Sequence, residues 1–255
     1  ESRRGRIETH WGTSQDDAGQ LGRVIENAFG GDFLDIVIDD DSHLDEAVLG
    51  VVQREFGYAG QKCSACSRVI VLNSVHDAFV DRLAAATRAW TYGDPTDPDV
   101  DMGTVIDTTA AMNFESRVND AIARGARLVV GNVRRGALYS PTLLDHVDPQ
   151  MNVVKTETFG PVSPVIRFDT IEDAIRIANC TAYGLSSSVC TNRLDYITRF
   201  VAELNVGTVN VREVPGYRLE LTPFGGIKDS GLGYKEGVLE AMKSFTNTKT
   251  YSLPW

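Results

Sequence analysis

Short runs of consecutive apolar residues alternate along this chain with stretches whose apolar positions recur every three or four residues. Asp35-Ile36-Val37-Ile38 reads as a buried strand. Leu44 to Phe56 predicts a helix, with Leu44, Val48, Val51, Val52 and Phe56 near one face. Arg68 to Leu72 is a strand, and Val75 to Trp90 a helix with Phe79, Leu83 and Ala86 turned inward. Thr108 to Arg124 predicts a further helix, ended by Gly125, and Leu128 to Val130 a strand. Val162 to Phe168, Leu185 to Cys190 and Thr208 to Val211 read as strands. Ile171 to Asn179 and Leu194 to Leu204 are the helices between them, and Tyr234 to Lys243 is a last helix. Ser244 to Ser252 alternates weakly and predicts a terminal strand. Strand and helix in alternation give an α/β fold, a mainly parallel sheet with flanking helices. Residues ahead of 45 are less regular, though Leu21 to Ala28 could be helical.

Bulk properties narrow the function classes. A chain of 255 residues can bury a sizeable core as one large domain or two small ones. A net charge of -10 argues against nucleic acid or an anionic membrane as the main partner. A local basic pocket for an anionic substrate stays open. No apolar run approaches a membrane span. The charged start Glu1-Ser2-Arg3-Arg4-Gly5-Arg6 has no apolar stretch behind it, unlike a secretory signal, and a start at Glu1 suggests a trimmed chain or a fragment. Four cysteines in this length do not make a disulfide framework, which fits a reducing, cytoplasmic setting. No internal repeat or low-complexity tract is present.

Three strings carry chemistry. The first is Phe56-Gly57-Tyr58-Ala59-Gly60-Gln61-Lys62-Cys63-Ser64-Ala65-Cys66-Ser67-Arg68. The second is Glu157-Thr158-Phe159-Gly160-Pro161-Val162, and the third Pro223-Phe224-Gly225-Gly226-Ile227-Lys228-Asp229-Ser230-Gly231-Leu232-Gly233. A cysteine thiolate is a soft nucleophile, and a thioester built on it is a good acyl donor. A nearby cation such as Lys62 favours the anion. Cys63 and Cys66 form C-x-x-C, but zinc would need two more ligands and a redox pair a thioredoxin-like context. Glycines 225, 226, 231 and 233 lack the strand-turn-helix surroundings of a phosphate loop.

In this order the strings resemble those of the aldehyde dehydrogenase superfamily, over about residues 44 to 255. The resemblance implies that Cys63 is the nucleophile of aldehyde oxidation, by way of a thiohemiacetal and a thioester. It implies NAD or NADP as the hydride acceptor, with Glu157 and Phe159 contacting the nicotinamide ribose and ring. The C-terminal part, from Pro215-Gly216-Tyr217-Arg218-Leu219-Glu220-Leu221 to Trp255, looks like the phosphonoacetaldehyde dehydrogenase branch, while Gly60-Gln61-Lys62-Cys63-Ser64-Ala65-Cys66 resembles pyrroline-5-carboxylate dehydrogenases. The first branch implies a small, anionic aldehyde held by Lys62 and Arg218. The family also implies a C-terminal strand that joins an oligomerisation sheet, hence self-association.

The start of the chain fits less well. A divergent segment over residues 1-45, followed by a catalytic domain over 46-255 with a terminal strand at 244-252, is the expected division. Asp35-Ile36-Val37-Ile38-Asp39-Asp40-Asp41-Ser42-His43 loosely resembles a segment of sugar O-methyltransferases, where acids hold a metal; as a strand end before a helix, it reads more simply as a turn and N-cap, and no metal is expected. With Gly30-Gly31 in register, Ala28 stands where the family keeps its general base, so thioester hydrolysis is expected to be slow. The family's dinucleotide-binding half is not supplied by these residues. A non-catalytic relic and a methyltransferase-derived fragment are the alternatives.

Overall fold

The computed structural model describes residues 34–39, 43–234 and 236–254. The expected helix at 21–28, the Gly30-Gly31 register with Ala28, most of the acidic turn and Lys235 lie outside these residues.

A seven-stranded sheet forms the centre, in the order β10-β9-β1-β2-β7-β6-β3. Its strands are β1 (Leu34–Ile38), β2 (Arg68–Leu72), β3 (Arg127–Val130), β6 (Thr142–Asp145), β7 (Val162–Phe168), β9 (Ser186–Cys190) and β10 (Thr208–Val211). Every neighbouring pair is parallel except β3 with β6. The expected α/β class with a mainly parallel sheet is therefore the fold. In β2 the consecutive residues Arg68, Val69, Ile70 and Val71 are all buried, so both faces of the sheet are covered.

Helices α1 (Leu44–Phe56) and α2 (Asn73–Ala89) pack on each other; α5 (Ile171–Ala178) packs on β2, β7 and α6 (Leu194–Glu203). In α1 the buried residues Leu44, Ala47, Val48, Val51, Val52, Glu55 and Phe56 make one stripe at helical spacing. Asp45 and Glu46 in its first turn and Arg54 in its last suit the helix dipole. Asp107 caps α3 (Thr108–Ala123) by accepting the Ala110 N–H at 2.7 Å. Short pieces complete the chain: a hairpin of β4 (Arg134–Arg135) and β5 (Leu138–Tyr139), a turn of helix α4 (Asn152–Lys155), and a pair of β8 (Tyr183–Gly184) with β11 (Ile227–Lys228).

Two expected boundaries fall at other elements within this single chain. The last helix, α7, runs over Val238–Phe245, and residues 246–254 pair with no strand among the described residues. Ser244 to Ser252 thus gives a helix end and an unpaired tail, because a strand exists only where a neighbour supplies its hydrogen bonds. The boundary expected between residues 45 and 46 falls inside α1. Ahead of it, β1 lies mid-sheet between β9 and β2.

Candidate active site

Cys63 sits in the loop that leads into β2, and Glu157 to Pro161 lead into β7. Since β2 and β7 are parallel neighbours, both loops emerge at the same, amino-terminal edge of the sheet. Three successive left-handed residues, Tyr58 (φ 56), Ala59 (φ 55) and Gly60 (φ 71), turn the chain from α1 into the cysteine loop. Two of them are not glycine, a cost of about 1–2 kcal/mol each that tertiary packing must offset. At Gly60 a side chain is excluded: a Cβ there would lie 2.4 Å from the Gly160 carbonyl oxygen. The cysteine loop and the Glu157–Pro161 segment are thus in backbone contact.

Gln61 ties the loop down on a second side. Its Oε1 accepts the Ile106 N–H at 2.8 Å. A third segment approaches at Gly216, where a Cβ would meet the Ser64 Cβ at 2.6 Å. Ser186 and Asn210 hold that segment by donating to the Pro215 carbonyl at 2.6 and 2.9 Å.

The Cys63 side chain is exposed, whereas Cys66 is buried and its thiol faces the Arg68 carbonyl at 3.5 Å. Lys62 is half-buried. Its Nζ lies 3.4 Å from the Gln53 carbonyl, at the C-terminal end of α1, and 5.7 Å from the Tyr58 ring centre. Burial and the Arg54 charge lower the Lys62 pKa, against the pull of Glu55 and Cys63. Glu157 is partly buried and its carbonyl accepts from Arg117. Phe159 adopts φ 50 with its ring 45% exposed, an unusual conformation for an aromatic residue that leaves a flat apolar surface uncovered.

Lys62, Glu157 and Phe159 line one small cavity, together with Glu55, Gly60 and Gly160. The cavity thus gathers three of the five residues that the sequence singles out, and Cys63 follows Lys62 along the loop. The Arg218 guanidinium instead pairs with Glu236 and stacks 4.9 Å over the Phe224 ring centre. Its loop reaches the cysteine loop at Gly216. Among the described residues no three His, Cys, Asp or Glu side chains gather as a metal site.

Sequence reasoning missed Glu55. It is 2% exposed, and burial pushes its pKa well above the ordinary carboxylate value despite Lys62 and the Val162 N–H. Its signal was an acidic residue on the apolar stripe of α1.

The aldehyde dehydrogenase family profile matches residues 16–251. A sulfoacetaldehyde dehydrogenase of Neptuniibacter caesariensis is 37% identical over 84% of this chain and 47% of its own length. A lactaldehyde dehydrogenase of Methanocaldococcus jannaschii is 38% identical over 84% of this chain and 46% of its own. Among solved structures, succinate-semialdehyde dehydrogenase from Burkholderia pseudomallei superposes with a TM-score of 0.81, at 33% identity, over 91% of this chain and 48% of that one. The NADP complex of a glyceraldehyde-3-phosphate dehydrogenase from Methanocaldococcus jannaschii gives 0.79 at 37% identity, over 86% and 47%. The chain spans about half the length of the curated relatives it matches. With the family profile running over most of its length and relatives above a third identical, this chain belongs to the aldehyde dehydrogenase family.

Proposed function

We propose that this chain is the catalytic region of an NAD- or NADP-dependent aldehyde dehydrogenase, with Cys63 as its nucleophile. The observation that carries this reading is the backbone contact between Gly60 and Gly160, which sets an exposed thiol, a cation, a carboxylate and an uncovered aromatic ring at one sheet edge. The Cys63 thiolate adds to the aldehyde carbon, forming a C–S bond while the C=O π pair moves to oxygen, which gives the thiohemiacetal as its alkoxide. The Lys62 ammonium favours that thiolate. Departure of hydride from the thiohemiacetal carbon leaves a thioester on Cys63, and water releases the acid and restores the thiol. Glu157 and Phe159 fit a nicotinamide cofactor: a carboxylate accepts bonds from ribose hydroxyls, and a bare ring offers a face for nicotinamide. When bound, the cofactor supplies the two-electron acceptor for the hydride.

The substrate class is a small aldehyde carrying an anionic group. Lys62 and Arg218 supply the cations, and relatives named for sulfoacetaldehyde and sulfolactaldehyde support it. Because Glu236 already engages Arg218, an incoming anion has to compete with that carboxylate. The catalytic unit includes β1, so it begins ahead of residue 46. An exposed thiol suits a reducing cytoplasmic setting. Self-association through the uncovered C-terminal surface completes the reading.

An activated ester tests the nucleophile without any cofactor. Para-nitrophenyl acetate should acetylate Cys63, read by peptide mass, with a burst of nitrophenol followed by slow release. Cys63→Ser should abolish the burst. Acetyl groups spread evenly over the four cysteines would remove Cys63 from its role.

A further inference from the structure

One buried acid is used neither by the fold's packing logic nor by the mechanism above. Glu55 occupies the inward stripe of α1, between Val52 and Phe56, where an apolar side chain would pack without cost. Its Oε2 is buried and has no hydrogen-bond partner among the described residues. The cavity beside it is about 10 Å³, too small to hydrate a carboxylate. That cavity lies between the cysteine loop and the Glu157–Gly160 segment, with Lys62 in its wall. The Val162 N–H, at the start of β7, bonds to Glu55, and Glu55 shares the cavity wall with Lys62.

We propose that Glu55 is a positioning residue for Cys63, acting through Lys62: as a neutral acid it leaves the ammonium uncompensated beside the thiol, and as a carboxylate it takes that charge for itself. The inference rests on Cys63 being the nucleophile.

The geometry gives the sign. Lys62 follows Glu55 by two turns of chain yet folds back onto the end of α1, where its charge is felt by both Glu55 and Cys63. A cation with a neutral neighbour stabilises a thiolate; a cation already matched to a carboxylate does so less. Burial favours the neutral acid and Lys62 opposes it, so Glu55 and the thiol titrate as a coupled pair. Other charges face the same spot. Arg54 of α1 adds to the Lys62 field. Glu157 lines the cavity and is neighboured by Arg117 of α3. Asp101 borders the open hollow on the other side of Lys62. These stay fixed in the variants below.

The experiment follows alkylation of Cys63 by iodoacetamide against pH, read by peptide mass, in wild type, Glu55→Gln, Lys62→Met and the double variant. Glu55→Gln fixes the neutral form at every pH, so its Cys63 profile should follow wild type at low pH, where Glu55 is protonated, and run ahead of it by up to roughly tenfold in thiolate at higher pH, where the wild-type carboxylate takes the Lys62 charge. Lys62→Met should raise the midpoint of the profile by about one pH unit. In the double variant the Glu55 effect should vanish, which a purely structural role for Glu55 would not produce. A Glu55→Gln profile that overlays wild type, or a shift that persists without Lys62, overturns the proposal. Should Glu55→Gln fail to fold, Lys62→Met decides: an unchanged midpoint overturns it. If Cys180 outpaces Cys63 throughout, the nucleophile assignment falls, while the midpoint at Cys63 still reads the coupling.

Discussion

Gly60→Ala should separate the two loops of the candidate site. At φ 71 the residue is left-handed, which costs an alanine about 1–2 kcal/mol. The new methyl would also sit 2.4 Å from the Gly160 oxygen, 2.5 Å from its carbonyl carbon and 2.9 Å from the Glu55 oxygen. All three are backbone atoms, which cannot rotate aside. Gly136 isolates the first cost: its φ is 63, and a Cβ there meets nothing within 4 Å. Gly136→Ala should therefore lose about 1 kcal/mol, and Gly60→Ala roughly 3 kcal/mol, the excess being steric. For a chain of this size 1 kcal/mol moves Tm by about 2–4 °C, so the two melting curves should be clearly apart. Alkylation of Cys63 supplies the functional reading: the Gly60→Ala rate should change, and the Gly136→Ala rate should not. Equal losses of stability in the two variants would refute the close approach of Gly60 to Gly160.

Other tests address different parts of the molecule. Iodoacetamide at neutral pH should label Cys63 fastest: Cys66 is buried, and burial pushes the Cys190 thiol up to about 11, leaving Cys180 as the exposed competitor. Asp145 is fully buried between His76 at 2.8 Å and Arg127 at 2.8 Å. Burial raises its pKa, but the close His76 ring nitrogen, the His146 N–H and the Arg127 guanidinium outweigh it and hold the carboxyl well below the usual range. A depressed carboxyl stabilises the fold above its unfolded pKa near ~4 and loses that contribution as pH falls. Asp145→Asn should thus cost about 3–5 kcal/mol in urea unfolding at pH ~7, with the gap to wild type narrowing in acid; a constant gap would exclude the linkage. Val238, Leu239, Met242 and Phe245 form an exposed apolar stripe on α7, and Met242→Lys with Phe245→Lys should shift light scattering toward monomer. In the active enzyme, Arg218→Ala should raise KM about tenfold for a sulfonate-bearing aldehyde and leave a neutral one unchanged.

Much of the sheet was legible because its strands are buried on both faces and read as apolar runs. Val162 to Phe168 and Thr208 to Val211 match the sequence expectation residue for residue. Thr142–Asp145 did not stand out, although it is a fully buried strand between β3 and β7. Four residues with polar ends carry too little period to register. The terminal strand expected at 244–252 is unpaired within this chain, since alternation marks a segment fit to pair, not the presence of a partner. In the candidate site, local strings singled out Cys63, Glu157 and Phe159, each within three residues of a glycine in a turn. Glu55 and Gln61 act through contacts made by residues far off in sequence, such as Val162 and Ile106, which no local pattern records.

Arg68, the first residue of β2, bears on the order in which this chain can fold. Its guanidinium is fully buried and donates to the Ile177 carbonyl at 3.2 Å and the Ala178 carbonyl at 3.1 Å, at the end of α5. Those partners lie 109 and 110 residues downstream. A dry interior penalises a charge that lacks its acceptors by several kcal/mol. The strand that carries the cysteine loop therefore gains its two acceptors at the end of α5 only once that helix is in place. Closing so long a loop is slow, so during synthesis these two bonds are expected to form late, after residue 178 has emerged. A nascent chain halted before α5 should leave Cys63 no more reactive than a cysteine in an unfolded peptide.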